Sequence, residues 1–139
     1  MHEERYINSE IIPILEERDV VICRQACREW ARRIGFNLVD QTRITTAASE
    51  LARNIHEYAG AGEVIIQEVE DETRRGIKIT FQDQGPGLDD VEEAMKEGYT
   101  SHKGMGMGLP GSKKLMDEFY IQSEPEKGTS VTIYKWLPI

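Results

Sequence analysis

The chain has 139 residues, with 17 lysines and arginines against 25 aspartates and glutamates, a net charge of −8 and a pI near 4.9. That length fits one compact domain, and the apolar fraction of 39% with 30% charged residues is an ordinary globular balance that excludes a disordered chain. So acidic a surface repels a phosphate backbone, which argues against direct nucleic-acid binding, and no apolar run is long enough to span a bilayer. No signal-peptide pattern follows the charged opening Met1–Arg5, so the chain is expected to be cytoplasmic, with no membrane partner.

Met1 to Ser9 is polar and is expected to be a loose segment ahead of a single domain from residue 10 to 139. Ile11, Ile12, Ile14 and Leu15 predict a first strand, with Pro13 placing it at a sheet edge. Asp19 is read as the cap of a helix reaching Ile34, whose apolar stripe is Val20, Cys23, Cys27, Trp30, Ala31 and Ile34. Cys23 and Cys27 lie one turn apart without further ligands, so they read as two small buried residues rather than a metal site. Arg24, Arg28, Arg32 and Arg33 fall mostly off the stripe, on a solvated face. Gly35 ends that helix.

Asp40 is read as the start of a second helix, running to about Tyr58 with Ile44, Ala47, Ala48, Leu51 and Ile55 inward. A strand from Val64 and a strand with alternating Ile77, Ile79 and Phe81 flank the polar turn Asp71–Gly76. After a short acidic helix over Asp89–Lys96 and a loop over Gly98–Gly108 comes a helix near Pro110–Glu118. Strands at Phe119–Ser123 and Ser130–Trp136 close the pattern. Hairpins beside helices predict an α+β two-layer sandwich: a mixed, mostly antiparallel sheet with helices on one face.

Three constellations carry chemistry. Glu50 and Asn54 share a helix face distinct from the Leu51–Ile55 stripe. A carboxylate there can take a proton from a hydroxyl, and an amide oxygen suits Mg²⁺. Taken alone, the spacing equally fits a solvated helix face. Asp83 leaves the best strand into Gln84–Gly85–Pro86–Gly87, where a carboxylate can accept from an exocyclic amine. An ordinary turn has the same composition. Gly104, Gly106 and Gly108 precede a helix whose first turn favours phosphate. This is neither a Walker A loop nor a Rossmann fingerprint, and a flexible hinge would read alike.

In this order, with Gly128–Thr129 before the last strand, these motifs resemble the GHKL ATPase superfamily. Within it the chain is similar to the small serine/threonine kinases of the anti-sigma-factor type, the switch kinases of bacterial stress signalling. The resemblance spans roughly residues 10 to 137. It rests on Arg43–Ala47, Glu50–Ile55, Asp83–Gly87, Gly108–Gly111, Leu115–Phe119 and Lys135–Leu137.

The resemblance implies the GHKL ATP-binding fold, with ATP and Mg²⁺ as cofactors. It assigns Glu50 to polarising the attacking hydroxyl and Asn54 to the Mg²⁺. Asp83 would bond the adenine amine, with Thr129 supporting a water beside it. Gly85 and Gly87 would bring the backbone to the nucleotide, and Gly104, Gly106 and Gly108 would form the phosphate loop. Ser101, His102 and Lys103 occupy the lid where some relatives carry an arginine, so Lys103 is the candidate point charge at the γ-phosphate. The implied partners are STAS-domain proteins of the stressosome and a PP2C-type phosphatase activated on release. A homodimer is compatible with the resemblance, and direct sequestration of a sigma factor is the alternative function.

Overall fold

The computed structural model describes residues 4–87, 95 and 109–138. The helix read across Asp89–Lys96 and the loop Gly98–Gly108, with Lys103, Gly104, Gly106 and Gly108, lie outside the described residues, Met95 apart.

Strand β1 (Arg5–Ile14) is followed by helices α1 (Glu17–Ile34) and α2 (Leu38–Asn54), a π-helical turn α3 (Ile55–Ala59) and strands β2 (Gly62–Glu70) and β3 (Arg75–Asp83). Helix α4 (Leu109–Leu115) then leads to β4 (Glu118–Glu124) and β5 (Gly128–Trp136). The five strands form one sheet in the order β1-β2-β3-β5-β4, and every described pairing is antiparallel. This is the mostly antiparallel α+β sandwich expected. Alternation places Val64, Ile66, Ile77, Ile79, Phe81, Val131 and Ile133 on the face covered by helices.

Strand β1 begins earlier than the sequence suggested, because Arg5 to Ser9 pair with β2 despite their polarity. A register shift between Tyr6 and Asn8 breaks the alternation there, which hid the strand from a periodicity reading. Pro13 does sit on an outer strand, where a missing N–H costs no ladder bond.

In both long helices the cap lies three residues before the aspartate taken for it. In α1 the Asp19 carboxylate accepts from the N–H groups of Leu15 (2.9 Å) and Glu16 (3.0 Å), and Glu16 holds the cap position. In α2 the cap is Asn37, whose side chain accepts from the Asp40 N–H at 2.8 Å. An acid in the first turn is favoured by the same helix dipole as a cap, so composition alone does not separate them. Cys23 and Cys27 are free and fully buried between α1 and the core. Their mutual contact, together with burial, pushes the Cys27 thiol well above the usual range.

The helix read to Glu118 ends at Leu115, since Glu118 already pairs in β4. Lys135 of β5 fixes this end: its ammonium donates to the Leu115 carbonyl (3.1 Å) and to Asp117 (3.4 Å), and Asp40 of α2 lies 4.0 Å away. Three elements thus meet on one nearly buried cation at a helix C-terminus.

The turn between β2 and β3 is organised by Asp71. Its carboxylate accepts from the backbone of Thr73 (3.0 Å) and Arg74 (2.8 Å) and from the Arg74 guanidinium (2.9 Å). The Thr73 N–H first, then Arg74, lower its pKa from 3.8 to about 2. Stability from this group is therefore complete above pH 3.8 and lost as pH falls towards about 2. Asp71→Asn should lower the thermal midpoint at neutral pH. Melts recorded against pH should show the difference from the parent closing over that acid range.

Candidate functional site

The strand ends nearest α3 form one row across the sheet: Ile14, Gly62, Asp83, Thr129 and Ser123 are successive partners in register. This row faces the helices, and Asp83 at its centre is buried. Asp83 Oδ1 accepts from the Gly85 N–H at 2.8 Å and from the Thr129 N–H at 3.3 Å. Its other oxygen accepts no hydrogen bond among the described residues. Burial raises the Asp83 pKa above 3.8, and the two N–H bonds oppose that rise. Thr129 Oγ1 in turn shares a 2.8 Å hydrogen bond with Ser123 Oγ, a residue that no sequence motif singles out.

The π-helical turn lies over this row. The Gly60 N–H reaches the Ile55 carbonyl at 2.9 Å, the spacing of a π-helix, where the sequence suggested that the α-helix simply continued to Tyr58. Hydrophobic periodicity cannot reveal a single widened turn, and such turns are frequent at functional sites. A Cβ at Gly62 would lie 2.7 Å from Ile55 Cγ2, and one at Gly85 would lie 2.5 Å from Ala59 Cβ. Two glycines therefore let α3 settle on the sheet directly beside Asp83. Gly87 is required for another reason. Its φ is +72°, and a side chain there would strike the Glu124 carbonyl of the β4–β5 hairpin. Asp83, Thr129, Gly128 and Ser123 line an open hollow at this end of the sheet.

Asn54 is the last residue of α2, immediately before the widened turn, and Glu50 stands one helical turn earlier. The Glu50 carboxylate is half exposed and accepts from Arg53 at 2.9 Å. Thus Glu50, Asn54, Asp83, Gly85 and Thr129 gather at the same end of the molecule, the first pair on the helix layer and the others on the sheet.

These residues fit the expected nucleotide. A buried carboxylate with one oxygen tied to the backbone keeps the other for an amine donor. Among the described residues no group of three His, Cys, Asp or Glu side chains could hold a metal unaided. A Mg²⁺ at Asn54 would therefore draw its remaining oxygens from phosphate and water, the usual mode for that ion.

The chain matches the histidine kinase-like ATPase domain over residues 14–135. It belongs to that family. Within the family it stands with the RsbT-type serine/threonine-protein kinases. It is 48% identical over 126 residues to serine/threonine-protein kinase RsbT of Bacillus subtilis, covering 91% of this chain and 95% of that one. The anti-sigma F factor of Oceanobacillus iheyensis is 33% identical over 125 residues, 82% of each chain. Among solved structures, the RsbU and RsbW domains of Rv1364c from Mycobacterium tuberculosis share the fold. They give a TM-score of 0.64 at 17% identity, over 95% of this chain and 34% of that one. The catalytic domain of histidine kinase ThkA gives 0.54 at 16% identity, over 91% and 95%. No helix of the described residues is long and apolar enough to cross a membrane.

Two outcomes test this ATPase site. Gly85→Ala should weaken ATP binding in calorimetry, because its methyl would meet both Cβ (2.5 Å) and backbone Cα (2.8 Å) of Ala59 and push α3 off the sheet. Asp83→Asn should weaken ATP by about ten- to a hundredfold through loss of a charged acceptor. Because burial disfavours the charged form, the same change should leave the thermal midpoint equal or higher. Affinity of the parent for ATP should fall on acidification with a midpoint above pH 3.8.

Proposed function

We propose that this kinase transfers the γ-phosphoryl group of ATP to a serine or threonine of a STAS-domain protein and works as a partner switch in bacterial stress signalling. The observation that carries the reading is the placement of Glu50 and Asn54 one turn apart on α2, at the end of the molecule where Asp83 and Thr129 form the sheet side of the site. Phosphoryl transfer is chiefly positioning and charge neutralisation, so a small domain with few side chains suffices. Bound Mg²⁺ would supply neutralisation of phosphate charge.

The chain's own residues divide the remaining work. Asp83 holds the adenine amine through its free carboxylate oxygen, and Thr129 with Ser123 supports the water beside it. Asn54 offers its amide oxygen to the metal. Glu50, oriented by Arg53, accepts the proton of the acceptor hydroxyl. Lys103, Gly104, Gly106 and Gly108 are assigned to the phosphates on the sequence pattern.

The 48% identity to RsbT over nearly the whole of both chains supports a stressosome scaffold as the acceptor and a PP2C-type phosphatase as the protein activated after release. A cytoplasmic location follows from that reading. The anti-sigma F factors among the relatives support a second reading, in which the chain sequesters a sigma factor directly. A pull-down offering both a sigma factor and a STAS-domain protein separates the two.

Labelled ATP with Mg²⁺ and a STAS-domain protein should yield a phosphorylated serine or threonine. Glu50→Gln should slow transfer by about a hundredfold or more while ATP still binds. Asn54→Ala should raise the Mg²⁺ concentration needed for both binding and transfer. Undiminished transfer by both variants would overturn these roles.

A further inference from the structure

The hydroxyl groups beside Asp83 have a polarity that their partners dictate. Ser123 and Thr129 are direct partners in the β4–β5 ladder, so both side chains stand on the same face of the sheet. Ser123 Oγ lies 3.1 Å from the Gly128 carbonyl oxygen and 2.8 Å from Thr129 Oγ1. A hydroxyl carries one proton and a carbonyl can only accept, so Ser123 donates to Gly128. The bond between the two hydroxyls is therefore donated by Thr129. Among the described residues the Thr129 hydroxyl makes no other hydrogen bond. Its lone pairs are what it still offers to a ligand in the hollow that it lines.

Close packing holds the Gly128 carbonyl in place. Gly128 has a φ of +99°, and a side chain there would strike the Asp83 carbonyl, so the start of β5 is pressed against the end of β3. Asp83 and Thr129 are both buried, and the Thr129 N–H reaches Asp83 Oδ1 at 3.3 Å. Four donors of this corner are thus committed within the protein. The Gly85 and Thr129 N–H groups serve Asp83, the Thr129 hydroxyl serves Ser123, and the Ser123 hydroxyl serves Gly128. The second carboxylate oxygen of Asp83 and Thr129 Oγ1 remain for a ligand, and both are acceptors.

We propose that Ser123 is a specificity-determining positioning residue: by taking the Thr129 proton it keeps the base-binding corner free of donors, so that a 6-amino purine is accepted and a 6-oxo purine refused. This rests on the ATP reading above and adds which residue sets the choice of base and by what means. An amino group, or a water that donates, finds acceptors in this corner. A carbonyl oxygen at the same position faces acceptors only, and buried polar groups left unpaired on both sides disfavour it more than the loss of one bond would. Ser123 acts through Thr129 and needs no contact with the nucleotide.

The test titrates the full chain in a calorimeter with ATP and with inosine triphosphate, its 6-oxo counterpart, each with Mg²⁺. The parent should bind ATP about a hundredfold more tightly or better. Ser123→Ala releases the Thr129 proton to turn into the hollow and should cut that ratio by about tenfold, chiefly by tightening the inosine nucleotide. Ser123→Thr keeps the hydroxyl and should keep the ratio. In a Thr129→Val background, Ser123→Ala should no longer alter the ratio, since the proton it governs is gone. A loosened fold would weaken both nucleotides together, so the ratio, read beside the thermal midpoint, separates base selection from packing. A ratio unchanged by Ser123→Ala overturns the proposal. So does one that falls equally in Ser123→Thr, or that still falls in the Thr129→Val background. A parent that binds both nucleotides alike overturns it while leaving the ATP reading intact, and a parent that binds neither overturns both.

Discussion

One carboxylate oxygen organises the end of the sheet beside α3. Asp83 Oδ1 takes the N–H of Gly85 just beyond its own strand and the N–H of Thr129, 46 residues later in the chain. These bonds fix how β3 leaves the sheet and tie that exit to the start of β5. A buried charge is costly unless it is hydrogen-bonded, and here the bonds that offset burial are also those that shape the turn. The remaining oxygen thereby keeps its acceptor capacity on a carboxylate already held in one orientation. Preorganisation of this kind lowers the cost of binding a small polar group.

The helix layer meets that arrangement through absence of side chains. Gly62 and Gly85 offer bare backbone to Ile55 and Ala59, and the widened turn α3 fits over them. Asn54 stands at the last regular position before the widening, so its direction relative to the sheet depends on how α3 is seated. The two halves of the site are thus coupled: the glycines that border Asp83 also seat the turn that follows Asn54. Two motifs that look like separate sequence features, Glu50–Asn54 and Asp83–Gly87, meet where a helix end contacts a sheet end.

Much of this was legible in the residues. The alternation of Ile77, Ile79 and Phe81 located β3 and hence Asp83 at its end. The stripe on α2 separated Glu50 and Asn54 from the core, and Pro13 marked an outer strand. What failed did so for physical reasons. Asp19 and Asp40 were read as caps because an acid in the first turn and an acid at the cap answer to the same dipole. The polar stretch Arg5–Ser9 pairs through backbone groups, which carry no side-chain signature, and the bulge after Tyr6 removes the alternation that might have revealed it. Neither the π-turn nor the Ser123–Thr129 hydrogen bond has a local signature, since both are consequences of register and close approach.

The strand order has a bearing on how the molecule is made. In β1-β2-β3-β5-β4, β5 follows β4 in the chain yet lies in the interior of the sheet, and β4 has no described partner except β5. While the ribosome is still delivering β5, β3 keeps an open edge and β4 has nothing to pair with. Asp83 then lacks the Thr129 amide, and the α4 end lacks the Lys135 ammonium. Pairing of β5 therefore completes two ladders, the Asp83–Thr129 bond and the Lys135 contacts of the α4 end together.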